Sequence, residues 1–468
     1  MGNLERKLQH LAWRAGFGPE VSVTHKPRNI TQAVKQLLEE AQLIQPLTVA
    51  VPSKLDAQHV RMLSPEEKKT YQQAQQTALR ELNLSWLKQM AFSKAQLREK
   101  MTLFWHGHFA SRHSYAHRLQ LQNNTLRQHA LGSFPELLLA ISKDSVMLQY
   151  LNNQQNRKQH PNENFARELL ELFTIGRGQY TEQDVKEAAR AFTGWNFNAQ
   201  FEFEFREKQH DFGEKTFLGK TGTFNGDDIL RILVEDPRTA EFLTTKLYTF
   251  FVSDRPHPGH IQSLSRFFYA SNYNITALLE KIFTSEWFYA PELMGAHIKS
   301  PVELLAGLQR TFLIEYADDQ SPLILQRALG QELFQPPNVN GWPGGQNWID
   351  STTLAFRLNV GPALVQAAAL AVPLKPDDDA EPTKPLARRK DGLKIAQAKS
   401  SLSQLAEQMK HTKREALPEA LSSFLLQTPL PASLLELLRQ EVAGIPSREE
   451  HIKQLSLRIL SMPEYQLC

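Results

Sequence analysis

The amino-acid sequence predicts a mainly α protein: a large single helical body with a small inserted β-ribbon. Apolar residues recur at helical spacing along most of the chain, and cap signals bracket those runs. One segment alone, residues 201–206 (FEFEFR), alternates strictly, which is the period of a strand. With 41% hydrophobic and 22% charged residues among 468, the chain can close a sizeable core.

The amino-terminal MGNLERKLQHLAWRAGFG scatters charge through its length and lacks the apolar stretch of a secretory leader. Arg6 stands where a myristoylation motif beginning at Gly2 needs Ser or Thr. Nowhere do the roughly 18 apolar residues of a membrane span run together. These features predict a soluble, cytoplasmic protein. Ser64 followed by Pro65-Glu66-Glu67 opens a helix predicted over 65–103. Further helices are predicted at 133–151, 163–175, 182–193, 227–236, 238–251, 275–289 and 301–315, with Gly176 as the stop of the central one. The ribbon is placed near 201–219: strand 201–206, a turn at His210-Asp211-Phe212-Gly213, and a return over 215–219. The body would run over 1–372. A Pro- and charge-rich loop follows at 373–391, and residues 392–468 form terminal helices packed on the body.

Composition excludes several function classes. The net charge of +3 gives no electrostatic case for nucleic acid or a membrane surface. Cys468 is the single cysteine, which removes disulfides and cysteine metal sites. No GxSxG, HExxH or glycine-rich phosphate loop occurs. The sequence assigns no cofactor; a metal, if bound, would take oxygen and imidazole ligands.

Chemistry-bearing residues concentrate in a few stretches. In HPNENFARELLELFTIG (160–176), Glu163, Asn164, Arg167, Glu168 and Glu171 fall on one helical arc opposite Phe165, Ala166, Leu169, Leu172 and Phe173. One reading is a surface salt-bridge ladder worth about 0.3–0.5 kcal/mol per pair. The other is a cleft wall on which Glu168 and Glu171 act as paired carboxylates. Glu168 lies at the arc's apolar edge, where partial desolvation raises a carboxyl pKa. In MTLFWHGHF (101–109), a helix sends His106 and His108 to opposite sides. His113 and His117 have a metal-clip spacing with no third ligand nearby. Trp195, and Trp342 and Trp348 in the loop QPPNVNGWPGGQNWI (335–349), stand beside glycines and amides. They either stack on a flat ligand or anchor their own loops. HDFGEK contributes His210, Asp211 and Lys215.

RAGFGP (14–19), KMTLFWHGHF (100–109), RQHALGSFPELLLA (127–140), NENFARELLELFTIG (162–176), AARAFTGWNF (188–197), HDFGEKTFLGKTG (210–222), KSPVELLAGLQR (299–310) and QPPNVNGWPGG (335–345) occur in order. Together they resemble the bacterial family catalogued as domain of unknown function 1800, over essentially the whole chain. The family's polar motif positions fall on His108, Arg127, His129, Asn164, Arg167, Glu168, Glu171, Arg190, His210 and Lys215. The resemblance implies no reaction. It implies export for many members and a neighbouring sulfatase-like partner; the amino terminus here lacks the corresponding leader. Phe173 stands where the family often has His, which favours a carboxylate-centred site over a metal.

The resulting expectation is a hydrolase or lyase acting on a glycan or another polar polymer. Glu168 and Glu171 would be its acid/base groups, assisted by His108, His129 and His210. Arg127, Asn164, Arg167 and Lys215 would bind substrate, with Trp195, Trp342 and Trp348 as walls. The alternative is a non-catalytic accessory protein in which the same polar network fixes one rigid shape.

Overall fold

The structure, a computed structural model, describes residues 2–21, 27–52, 57–372 and 394–468. The loop expected at 373–391 lies outside the described residues. The fold is mainly helical, and among the described residues the strands form two-stranded sheets. No helix among the described residues is long and apolar enough to cross a membrane.

Helices α1 (Asn3–Arg14) and α2 (Ile30–Glu40) precede α3 (Pro65–Phe92), which opens on the expected capping box between Ser64 and Glu67. The single helix predicted to residue 103 breaks after Phe92. Ser93 Oγ accepts the Ala95 N–H, and Gln96 Nε2 donates to the carbonyls of Met90 and Ser93. A new helix, α4 (Gln96–His108), then starts. Helices α5 (Ala116–His129) and α6 (Phe134–Ser142) follow. The helix predicted over 133–151 also divides, because Asp144 Oδ1 accepts the N–H groups of Val146 and Met147 and caps a new start.

The central helix departs most from expectation. Residues Asn164–Glu168 (α7) are α-helical, but Leu169–Thr174 form a π-helix. The Thr174 hydroxyl donates to Leu169 O at 2.6 Å, and the Ile175 N–H reaches five residues back to Leu170 O at 3.2 Å. Gly176, at φ +87°, ends the turn as predicted, its N–H also on Leu170 O. Widened turns of this kind shift the register of backbone carbonyls and frequently mark functional sites.

After α8 (Glu182–Ala191) come two hairpins, where one ribbon was expected. β1 (Trp195–Phe197) pairs with β2 (Phe203–Phe205), and β3 (Lys215–Phe217) with β4 (Lys220–Gly222). The alternating FEFEF segment therefore pairs backwards, with 195–197, and 215–217 finds its partner just downstream. Asn198 sets this register: its Oδ1 accepts the N–H groups of Gln200 and Glu202 and closes the first turn.

Helices α9 (Gly226–Glu235), α10 (Pro237–Phe251), α11 (Pro258–Ala270), α12 (Ile275–Thr284), α13 (Pro301–Phe312), α14 (Gln320–Leu329) and α15 (Ser351–Val365) complete the body. Short strands tie in the carboxyl-terminal part: β5 (Glu315–Tyr316) with β8 (Ala398–Lys399), and β6 (Leu370–Val372) with β7 (Lys394–Ala396). Helices α16 (Leu417–Leu425), α17 (Ala432–Val442) and α18 (Arg448–Leu460) follow. The chain returns to the body at Cys468, whose main chain exchanges hydrogen bonds with His297.

Two apolar cores result. The first gathers α6, the α7 region, α8 and α9–α12; the second gathers α3, α13–α15 and the carboxyl-terminal helices. Helix α4 lies between them, sending Leu97, Met101, Phe104 and Trp105 into the first and Leu103 into the second. All its residues except Gly107 are buried. A helix enclosed on every side must find partners for each polar side chain it carries, and α4 carries Arg98, Glu99, Lys100, His106 and His108.

Candidate functional site

On α4, Lys100, Phe104 and His108 are four apart and share one face. Opposite them α10 presents Phe250 and Lys246 in reverse order. Phe104 meets Phe250 at 5.2 Å between ring centroids, Lys100 Nζ lies 5.6 Å from the Phe250 ring, and Lys246 Nζ is 3.3 Å from His108 Nδ1. The two helices are antiparallel, and the groove between them is a packed seam in which Lys246 and Phe250 keep partial exposure.

At one end the groove is closed by the π-helix. Lys246 Nζ donates to Leu172 O at 3.0 Å, and His108 Nε2 donates to Phe173 O at 3.2 Å. A carbonyl only accepts, so the His108 proton is assigned to Nε2, and Nδ1 is left to accept from Lys246. Burial, then the Lys246 charge, holds His108 far below its ordinary pKa, so the ring is neutral. Burial also lowers Lys246 to about 8. Lys246 keeps a partial opening to solvent, unlike His108. An amine that interconverts near neutrality, wired to a neutral imidazole, can take up, release or relay a proton.

At the other end, Lys100 pairs with Glu303 and donates to Gly16 O at 2.9 Å. Glu303 is also the capping-box acid of α13, accepting the Ser300 N–H at 2.7 Å. Two opposing effects act on it: burial raises its pKa, while Lys100 and His297 pull it down, and the net is a fall to about 2. His297 lies between Asp254, at 3.8 Å, and Glu303, at 4.0 Å, and burial lowers it to about 3. Asp254 is partly exposed at the rim and raised by burial.

The Trp-Gly loop spans the groove. Gly341 has φ +77°, and a β-carbon there would lie 2.4 Å from Gly107 O. Gly345, at φ +58°, would place one 2.5 Å from Asp254 Oδ2. Only glycine meets both requirements, the backbone conformation and the approach. Trp342 packs on His106 at 5.4 Å, and the Phe334 N–H donates to His106 Nε2 at 3.1 Å. His106 and His108 therefore face opposite sides, as a helix requires.

The residues singled out in the sequence divide among separate networks. Glu168 is half-buried, takes no hydrogen bond or ion pair among the described residues, and is raised first by burial, then by Glu171. Glu171 accepts from Tyr180 at 2.8 Å and Arg177 at 2.9 Å. Arg167 forks onto Glu182 and also pairs with Glu163; Asn164 is exposed. The salt-bridge ladder is thus present, with Glu168 left out of it. Arg127 is fully buried and spends four of its five N–H donors on Glu99, Asn123 and Asn124. His129 is half-buried at the end of α5, its ring without a hydrogen bond among the described residues.

His210 is buried, its Nδ1 on Thr193 O at 2.8 Å. Lys215 is buried with Nζ on the carbonyls of Asp211 and Gly213, beside an Arg190–Asp211 ion pair. These two hold the second hairpin against α8. Trp195 and Trp348 are buried anchors; Trp342 alone of the three keeps solvent access. His113 bonds Arg118, and no group of three His, Cys, Asp or Glu among the described residues is arranged to hold a metal. A surface hollow of about 540 Å³ between the ends of α15 and α18 is lined by residues such as Ser400, Ser403 and Lys453, and by none of those predicted.

Sequence reasoning missed Lys246, Asp254 and His297. Lys246 carries no motif. His297 immediately precedes KSPVE, the stretch that supplies Glu303, and that proximity was the one available signal. Over residues 10–467 the chain matches the family described as Protein of unknown function (DUF1800). No curated protein and no solved structure matches it. The match spans nearly the whole chain, which therefore belongs to the DUF1800 family.

Proposed function

We propose that this DUF1800 protein is an acid–base enzyme, a hydrolase or lyase on a polar polymer, working from the groove between α4 and α10. The observation that carries this reading is Lys246, a partly accessible amine lowered to about 8 and hydrogen-bonded to both His108 and a π-helix carbonyl. In this role the neutral amine of Lys246 takes a proton from substrate or water, and His108 fixes its position and shares the charge. Glu168 lies four residues before Leu172, one turn along the same helix, and its raised pKa suits it to protonate a leaving group. A glycan is the polymer we favour, with Trp342 as its stacking surface. Incubating the protein with a panel of polysaccharides and reading products by mass spectrometry tests this. Cleavage by the wild type that disappears in Lys246→Met and Glu168→Gln supports it; cleavage retained in both overturns it.

A second reading, an accessory protein bound to a neighbouring enzyme of sulfatase-like type, is favoured by the hairpin aromatics. Phe205 and Phe212 are exposed on either side of the His210 ring, an apolar surface available to a partner. Co-purification with such an enzyme, lost in a Phe205→Ser, Phe212→Ser double variant, would select this reading.

A further inference from the structure

Behind the Asp254 end of the groove lies a buried cluster rich in cations. Arg14, Lys100, Lys299 and Arg357 are all buried there, against the side-chain carboxylates of Glu303 and the rim residue Asp254. Even with Lys299 lowered by burial to about 7, Arg14, Lys100 and Arg357 outnumber these two carboxylates. Lys100 is matched by Glu303 and two carbonyls. Lys299 donates to Tyr465 O at 2.7 Å and lies 3.7 Å from the centre of the Trp13 ring.

The other groups are not satisfied. Arg14 uses one nitrogen on Leu293 O at 2.9 Å, and its Nε and second terminal nitrogen are buried with no partner. One terminal nitrogen of Arg357 is likewise buried without a partner, and His297 Nδ1 makes no hydrogen bond, Asp254 standing 3.8 Å from it. These groups share one neighbourhood: the Arg14 charge interacts with Asp254, Glu303 and Cys468, Arg357 donates to Lys299 O, and His297 pairs with Cys468 through the main chain. Leaving a buried donor unmade costs about 1–3 kcal/mol, more when it is charged, and buried charges are ordinarily paired.

We propose that Arg14 and His297 are the contact residues of an oxyanion site in this cluster, taking a phosphate, sulfate or carboxylate group. An open nitrogen of Arg14 offers a charge-assisted hydrogen bond to an oxygen of such a group, and His297 Nδ1 supplies a further one. Asp254 at the rim is the group that opposes entry. The site does not depend on the catalytic reading of the groove, because its test reads binding and not turnover.

The test is isothermal titration of the full chain with inorganic phosphate and with inorganic sulfate, at ionic strength held constant with chloride. A saturable one-site heat in the wild type is expected, weakened at least about tenfold in Arg14→Gln through loss of a charge-assisted hydrogen bond. Asp254→Asn keeps Arg14 and removes the opposing charge, so it should bind at least as tightly as wild type. A sugar phosphomonoester competing with phosphate identifies the site as one for the terminal group of a larger ligand; failure to compete identifies the free ion, and both agree with the proposal. If Arg14→Gln does not fold, a selenate soak of wild-type crystals gives the same decision: density beside Arg14 supports the site. No saturable heat with either anion, equal binding by Arg14→Gln, or selenate found only elsewhere overturns it.

Discussion

Replacing Lys246 by Met should stabilise the protein at pH 7 and lose that advantage at pH 10. The fall in Lys246 from 10.5 to about 8 means the fold disfavours its ammonium form by ~3 kcal/mol, at ~1.4 kcal/mol per pKa unit. The sign follows from linkage. Between about 8 and 10.5 the unfolded chain holds the proton more than the folded one does. Stability therefore rises with pH across that window, and the full penalty applies below it. Met fills the same volume without charge, but it strips a donor from Leu172 O and His108 Nδ1, which offsets ~1–2 kcal/mol. The net gain at pH 7 is ~1–2 kcal/mol. By pH 10 most of the ammonium penalty has gone in the wild type, and the order of the two proteins inverts. Urea unfolding followed by tryptophan emission at both pH values measures this. A variant less stable than wild type by the same margin at pH 7 and pH 10 would refute a strained ammonium in the groove.

Other perturbations separate the networks. Glu168→Gln should keep the fold and abolish activity. Its folded pKa is raised, so the wild type loses stability as pH climbs through the acid range, and the variant's denaturation profile should lack that loss. Glu163→Gln removes only one exposed partner of Arg167 and should change stability by ~0.5 kcal/mol or less. Glu99→Gln breaks a buried ion pair with Arg127 and should cost ~3–5 kcal/mol in chemical denaturation, with KM unchanged where the folded protein can be assayed. Gly341→Ala sets a β-carbon against Gly107 O in a left-handed conformation; limited proteolysis should cut within 335–349 faster than in the wild type.

The sequence announced its helices best where caps are side chains, as at Ser64 and Ser300, because the capping box is written in three or four adjacent residues. It concealed whatever depends on long-range partners. The break at Ser93 rests on Gln96 folding back onto Met90, and FEFEF pairs upstream because of one turn at Asn198. The π-helix was invisible because ELLELF satisfies an α pattern equally well, and only the Thr174 hydroxyl bond reveals the wider turn.

At the site, the helical wheel correctly placed Glu168 at a desolvated edge, a local property. The polar motifs do not converge on one centre. Arg127, His210 and Lys215 are polar because buried groups need internal partners: Glu99 of α4 for Arg127, and main-chain carbonyls for His210 and Lys215, a demand that resembles chemistry when read from sequence alone. Lys246 was passed over for the opposite reason: one lysine on an amphipathic helix reads as a solvated residue until its neighbours are known.

The central claim is that the groove holds an amine that burial brings near neutrality, hydrogen-bonded to His108 and the π-helix. Reductive methylation across a pH series, with each lysine quantified by mass spectrometry, measures it directly. Lys246 modification should titrate with a midpoint near 8, well below the ordinary lysine value. A Lys246 midpoint near the ordinary 10.5 would contradict it.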